Sequence, residues 1–170
     1  DCARIIALRG PTATDLRTVL SVMKTAGDLE RIGDYAKNIA KRVAVLAQMP
    51  QVGNSAGTLR RMMRAVELML KDALDAFTRR DVELARHVRA SDEEVDQIYN
   101  TLFRAFLTHM MEDPRAITAF MHLHFIAKNI ERMGDHVTNI AEQVIYLATG
   151  TLPDDPRPKA DATPFAPADE

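Results

Sequence analysis

Apolar residues recur at alternating spacings of three and four over Leu29, Ile32, Ala36, Ile39, Val43 and Leu46, and again over Ile130, Met133, Val137, Ile140, Val144 and Leu147. That rhythm is the seam of a helix packed against other helices. Two further seams lie between them. Leu59, Met62, Val66, Leu70, Ala73 and Phe77 predict a helix from about Thr58 to Arg79. Leu84, Val88, Val95, Ile98, Leu102 and Ala105 predict a longer one, capped by Asp81 and ending near Met111. Punctuation separates the segments. Gly10-Pro11 ends a short helix over Asp1 to Arg9, and Thr12 is a candidate N-cap with Asp15 completing a variant capping box. The helix that follows runs to about Gln48, before a linker marked by Pro50, Gly53 and Gly57. Pro114 suits the first position of the last helix, Arg115 to Thr149, and Gly150 suits its C-terminal stop.

The first and last seams belong to one repeated stretch. Ala26, Glu30, Arg31, Gly33, Asp34, Asn38, Ile39, Ala40, Val43, Leu46 and Ala47 recur unchanged from Ala127 to Ala148. Such self-similarity is read before any single motif. Each copy centres on Glu-Arg-x-Gly-Asp. At roughly 100° per residue, Glu30, Asp34 and Asn38 fall opposite the apolar seam, and so do Glu131, Asp135 and Asn139. The expectation is therefore a stripe of two acids and an amide on the outer face of each helix. Asp92, Asp96 and Asn100 repeat the spacing on the long middle helix, again assigned to the outer face.

The ordinary reading of such a stripe is a solvated surface. Two features weigh against it. Like charges at i, i+4 cost a helix roughly 0.2–0.5 kcal/mol, yet the arrangement occurs in both copies. A mid-helix glycine costs about 1 kcal/mol relative to alanine, yet Gly33 and Gly134 sit at equivalent places, which suggests close approach of something to the backbone. If the middle and last helices lie antiparallel, Asp92, Asp96, Glu131 and Asp135 converge, and four carboxylates together require neutralisation by cations. Oxygen-only ligands suit hard cations.

Composition narrows the alternatives. The net charge of −2 gives no basic field for nucleic acid. Cys2 is the sole cysteine, which excludes a disulfide framework and a cysteine zinc site and suits a reducing cytosol. No apolar run approaches the roughly 18–20 residues of a membrane span, and no signal peptide is visible. The absence of Glu-x-x-His argues against a ferritin-like di-metal oxidase, and no nucleophile set points to an enzyme. His136 reads as a partly exposed polar residue beside the acids. His122 and His124 diverge. Met62, Met63, Met110, Met111 and Met121 read as core filler. Arg31 and Arg132 read as ion-pair partners of neighbouring helices. A carboxylate-bridged metalloenzyme and a plain helical interaction module without metal are the competing readings.

The doubled pentad helix resembles the PhoU family, regulators of the bacterial phosphate-specific transport system. Arg4-Ile5-Ile6-Ala7, Pro11-Thr12-Ala13-Thr14-Asp15-Leu16-Arg17, Met110-Met111-Glu112-Asp113-Pro114-Arg115 and Val144-Ile145-Tyr146-Leu147 support the match. The resemblance implies an all-α fold of tandem three-helix bundles. Residues 1–50 would form a partial first repeat lacking its opening helices, on the order of 50 residues by comparison with the second. Residues 57–150 would form a complete second repeat, and 151–170 a disordered tail. It implies metal ligands at Glu30 and Asp34 in the first unit, and at Asp92, Asp96, Glu131 and Asp135 in the second. Iron is the foremost metal, with manganese, magnesium or zinc as alternatives. It further implies a non-enzymatic, cytoplasmic regulator held at the inner face of the membrane by its partners, the phosphate ABC transporter ATPase and a phosphate sensor histidine kinase. The open seam of the first repeat would be covered by another copy of the chain.

Overall fold

A computed structural model describes residues 2–49 and 55–154. They form α1 (Cys2–Arg9), α2 (Ala13–Leu46), α3 (Ala56–Arg79), α4 (Val82–Glu112) and α5 (Ile117–Thr149), with a single 3-10 turn, Pro114–Ala116, before α5. The fold is all-α, as the seams predict. The expected tail falls mostly outside the described residues.

The punctuation works for local reasons. Asp81 caps α4 by accepting a 3.0 Å bond from the Leu84 amide, satisfying a donor that the first helical turn leaves free. Gly150 closes α5 with φ 86° and a bond from its amide to the Tyr146 carbonyl, a left-handed stop that glycine adopts without a Cβ clash. Thr12 stands at the N-cap position in extended backbone, but its side chain makes no capping bond. Pro114 starts the 3-10 turn rather than α5 itself, and Asp113 Oδ1 accepts from the Arg115 amide at 3.0 Å.

α3, α4 and α5 pack pairwise into a three-helix bundle, and α2 lies along α5. Met62, Val66 and Ala73 of α3 meet Val88, Val95 and Phe106 of α4 and Val137, Ile140 and Val144 of α5 in one closed core. The central position of α5 has a consequence that the amphipathic pattern did not show. It is packed by α2, α3 and α4 at once, so Glu131, Thr138 and Gln143, away from its apolar seam, are buried too.

α2 is the reverse case. Of its seam only Ile32 is fully buried; Leu29 and Ala36 are exposed, and Val43 is 51% exposed. Its C-terminal half forms one wall of an open apolar groove lined by Ile39, Val43 and Leu46 opposite Leu59, Met63 and Ile126. The seam therefore lacks a full set of packing partners among the described residues. Two methionines assigned to the core are at the surface instead: Met111 and Met121 are exposed.

Candidate functional site

The acids of α4 and α5 face each other rather than water. Asp92 is 1% exposed, Asp96 6% and Glu131 7%, and Asp135 is half-buried. This corrects the outer-face assignment for both helices. On α4, Asp92 follows Val88 by four residues and precedes Val95 by three, so it sits on the flank of the seam and is carried into the interface. On α5, Glu131 does lie opposite the seam, but that face is covered because the helix is central. The stripe of α2 behaves as expected of an outer face: Glu30, Asp34 and Asn38 are all exposed. The six sequence-predicted acids thus divide into an interface set, with Asp92, Asp96 and Glu131 buried and Asp135 half-buried, and an exposed pair, Glu30 and Asp34.

Gly134 makes the buried set possible. A Cβ built there would lie 2.9 Å from Asp92 Oδ1, with Val95 and Val66 methyls at 3.6 and 3.8 Å. The backbone of α5 meets the Asp92 carboxylate itself, which is the close approach that a mid-helix glycine announces. At Gly33 a Cβ would meet nothing within 4 Å, because the corresponding face of α2 is uncovered.

Lys128 brings one positive charge to the set. Its Nζ lies 2.9 Å from Glu131 Oε1 and 4.9 Å from the centre of the Tyr99 ring. Burial is the main influence on the Glu131 carboxyl and raises its pKa. Lys128 opposes the shift, while Asp135 and Asp96 add to it. Those last contributions show that Asp96, Glu131 and Asp135 share one electrostatic neighbourhood. Glu131 Oε2 is buried and makes no hydrogen bond, which is costly for a carboxylate oxygen. On the far side of Lys128, burial and then the Lys128 charge lower the pKa of His124, so its ring, packed on Tyr99 and Phe103, is held neutral.

Hard oxygen donors in a largely buried interface, with one oxygen lacking a hydrogen bond, fit the donor chemistry of a hard metal ion. In the arrangement described, with Lys128 among them, no three Asp, Glu, His or Cys side chains close on a common point among the described residues.

A second polar cluster joins α2 to α5 and was not foreseen. His136 Nδ1 lies 2.7 Å from Asp28 Oδ1, and Asn139 donates to the same oxygen at 3.3 Å. Tyr35 packs on the His136 ring at 5.7 Å. His136 is half-buried and serves as a contact between helices. The pairing depends on how α2 docks, and no local spacing signals it. Arg31 and Arg132 are exposed, and neither forms an ion pair with a neighbouring helix among the described residues. The arginine that does is Arg89 of α4, buried and 3.4 Å from Glu142 of α5. No described helix is long and apolar enough to cross a membrane.

Comparison with known proteins gives one answer. A family model described as the PhoU domain matches residues 1–43 and 59–144. The chain is 49% identical over 158 residues to a phosphate-specific transport system accessory protein PhoU homolog of Rhizobium meliloti, covering 93% of this chain and 67% of that one. It is 53% identical over 147 residues to the homolog of the same description from Zymomonas mobilis, covering 86% and 62%. The chain thus spans about two thirds of the length of these relatives. Among solved structures, PhoU from Pseudomonas aeruginosa superposes with a TM-score of 0.85 at 44% identity, over 88% of this chain and 72% of that one. The phosphate transport system regulatory protein PhoU from Streptococcus pneumoniae gives 0.81 at 35% identity, over 90% and 71%.

Proposed function

This chain belongs to the PhoU family, and from that premise we propose that it is a non-enzymatic accessory protein of phosphate-specific transport, a helical adaptor that restrains phosphate uptake and phosphate-starvation signalling. The observation that carries the reading is the buried acid set on α4 and α5, built around Gly134 and the orphaned Glu131 Oε2. In this reading Asp92, Asp96, Glu131 and Asp135 hold metal ions, iron foremost. Glu30 and Asp34 are the corresponding ligands of the first repeat. A divalent cation would neutralise the carboxylates and pin α4 to α5 in place of a hydrophobic contact. The division into repeats at 1–50 and 57–150 belongs to the same reading, supported by the two separate stretches that match the family model.

The relatives are named accessory proteins of a phosphate-specific transport system, which supports a partner within that system. The adaptor acts in the cytoplasm, at the membrane face of the phosphate ABC transporter, through its ATPase and through a phosphate sensor histidine kinase. Self-association through the exposed apolar residues of α2, Leu29 and Val43 among them, is part of the proposal. The test is co-purification of the tagged chain with the phosphate transporter ATPase of the same organism. The account predicts a stable complex in the presence of phosphate. Failure to form one, with both proteins folded, overturns the adaptor reading for this chain.

A further inference from the structure

We propose that Lys128 is a tethered cation that occupies the acid set in its metal-free form and must be displaced for a divalent metal ion to enter. The inference rests on the reading of that set as a metal centre and concerns how the centre is regulated.

Three observations carry it. First, the position: the ammonium sits 2.9 Å from Glu131 Oε1, on the carboxylate that is buried against α4. A metal ion taken by the orphaned Glu131 Oε2 would share that carboxylate with the ammonium, and two cations on one carboxylate repel. Second, the means of exit: the Lys128 side chain is 33% exposed and rests on the Tyr99 ring at 4.9 Å. Its long stem reaches water by rotation about side-chain bonds, without movement of either helix. Third, the repeat supplies an internal control. Copy one is identical to copy two at the alanine, glutamate, arginine, glycine and aspartate positions, but carries Gly27 where copy two carries Lys128. In copy one Glu30 and Asp34 are exposed, so water screens them. In copy two the acids are buried, and a lysine accompanies them.

Lys128 therefore does two things. It offsets the repulsion among Asp96, Glu131 and Asp135 while no metal is present. It also weakens metal binding, because each binding event must first break a charge-assisted hydrogen bond. The metal-free chain stays folded, and the threshold for loading is set by one side chain.

The experiment is a Mn²⁺ titration of the full chain and of Lys128→Gln, read by electron paramagnetic resonance of free Mn²⁺, with thermal melts in chelator alongside. Loss of one charged hydrogen bond predicts a Kd lower by about tenfold for Lys128→Gln, with a lower melting temperature in chelator that Mn²⁺ restores. If the wild type binds Mn²⁺ and Lys128→Gln binds it equally or more weakly, the gate is overturned and the metal centre stands. If neither binds Mn²⁺, both fall. A second readout needs no variant. Acetylation of Lys128 by an amine-reactive ester, followed by peptide mass spectrometry, should accelerate several-fold when Mn²⁺ saturates the wild type, while Lys37 and Lys41 on the exposed face of α2 keep their rates. An unchanged Lys128 rate with Mn²⁺ bound overturns the displacement.

Discussion

The two pentad glycines allow one substitution to be made twice with opposite outcomes. Replacing a mid-helix glycine by alanine stabilises a helix by about 1 kcal/mol, because the unfolded chain loses freedom and the helix gains a better former. At Gly33 a Cβ meets nothing within 4 Å, so Gly33→Ala should keep most of that gain, about 0.5–1 kcal/mol. At Gly134 the new methyl would lie 2.9 Å from Asp92 Oδ1. Relief requires the carboxylate to move, and Asp92 is 1% exposed with Val95 beside it. Overpacking at a closed site costs about 1–3 kcal/mol. Set against the helix gain, Gly134→Ala should be net destabilising by about 1 kcal/mol. The two variants then differ by roughly 1.5–2 kcal/mol, or about 3–8 °C in melting temperature for a chain of this size. Urea and thermal unfolding followed by circular dichroism, in chelator, read both. Equal stabilisation by the two substitutions would refute the claim that the α5 backbone lies against the Asp92 carboxylate. Destabilisation by Gly33→Ala would show that the α2 face is covered.

Three further outcomes follow from the same packing. Burial holds the Glu131 carboxyl above its ordinary 4.5, so the folded chain binds that proton more tightly than the unfolded chain. Stability present below the ordinary value is lost as pH rises through the raised one. In chelator, the wild type should lose stability relative to Glu131→Gln as pH climbs from about 4.5; a relative gain over that range would mean that Lys128 outweighs burial. Asp28→Ala and His136→Ala should show a coupling of about 1 kcal/mol in a double-mutant cycle of unfolding free energies, and additive effects would contradict the docking of α2 on α5. Phe106→Ala, in the closed core, should cost about 3–5 kcal/mol, whereas Met111→Ala, at an exposed position, should stay within about 0.5 kcal/mol of wild type; comparable losses would contradict the assignment of Met111 to the surface.

The helices were legible because their signals are local. The three-and-four spacing of Ile130 to Leu147, the Asp81 cap and the Gly150 stop each act within a turn or two of chain. Gly134 was legible as a point of close approach, since its cost demands a reason. The orientation of the acid stripes on α4 and α5 was not. An amphipathic pattern assumes a wide wet face, and over Ile130 to Val144, where three helices pack on α5, only a narrow stripe around Arg132 reaches water. Asp92 shows how narrow the margin is: one turn from Val88 and one from Val95, it lies at the boundary of the seam. Lys128 went unremarked because a lysine three residues from a glutamate is ordinary on a surface helix; its meaning depends on Glu131 being buried. The Asp28–His136 pair joins residues far apart in sequence and depends wholly on docking.

The central claim is that the buried carboxylates of α4 and α5 are a metal centre, and elemental analysis of the purified chain beside Glu131→Ala/Asp135→Ala tests it most directly. Circular dichroism is the check that both remain helical. The account predicts stoichiometric iron, manganese or zinc in the wild type and its loss from the still-helical variant. A wild type that carries no metal and takes up none on titration with iron, manganese, magnesium or zinc would contradict it, and would leave the acids as a network paired at Glu131 with Lys128.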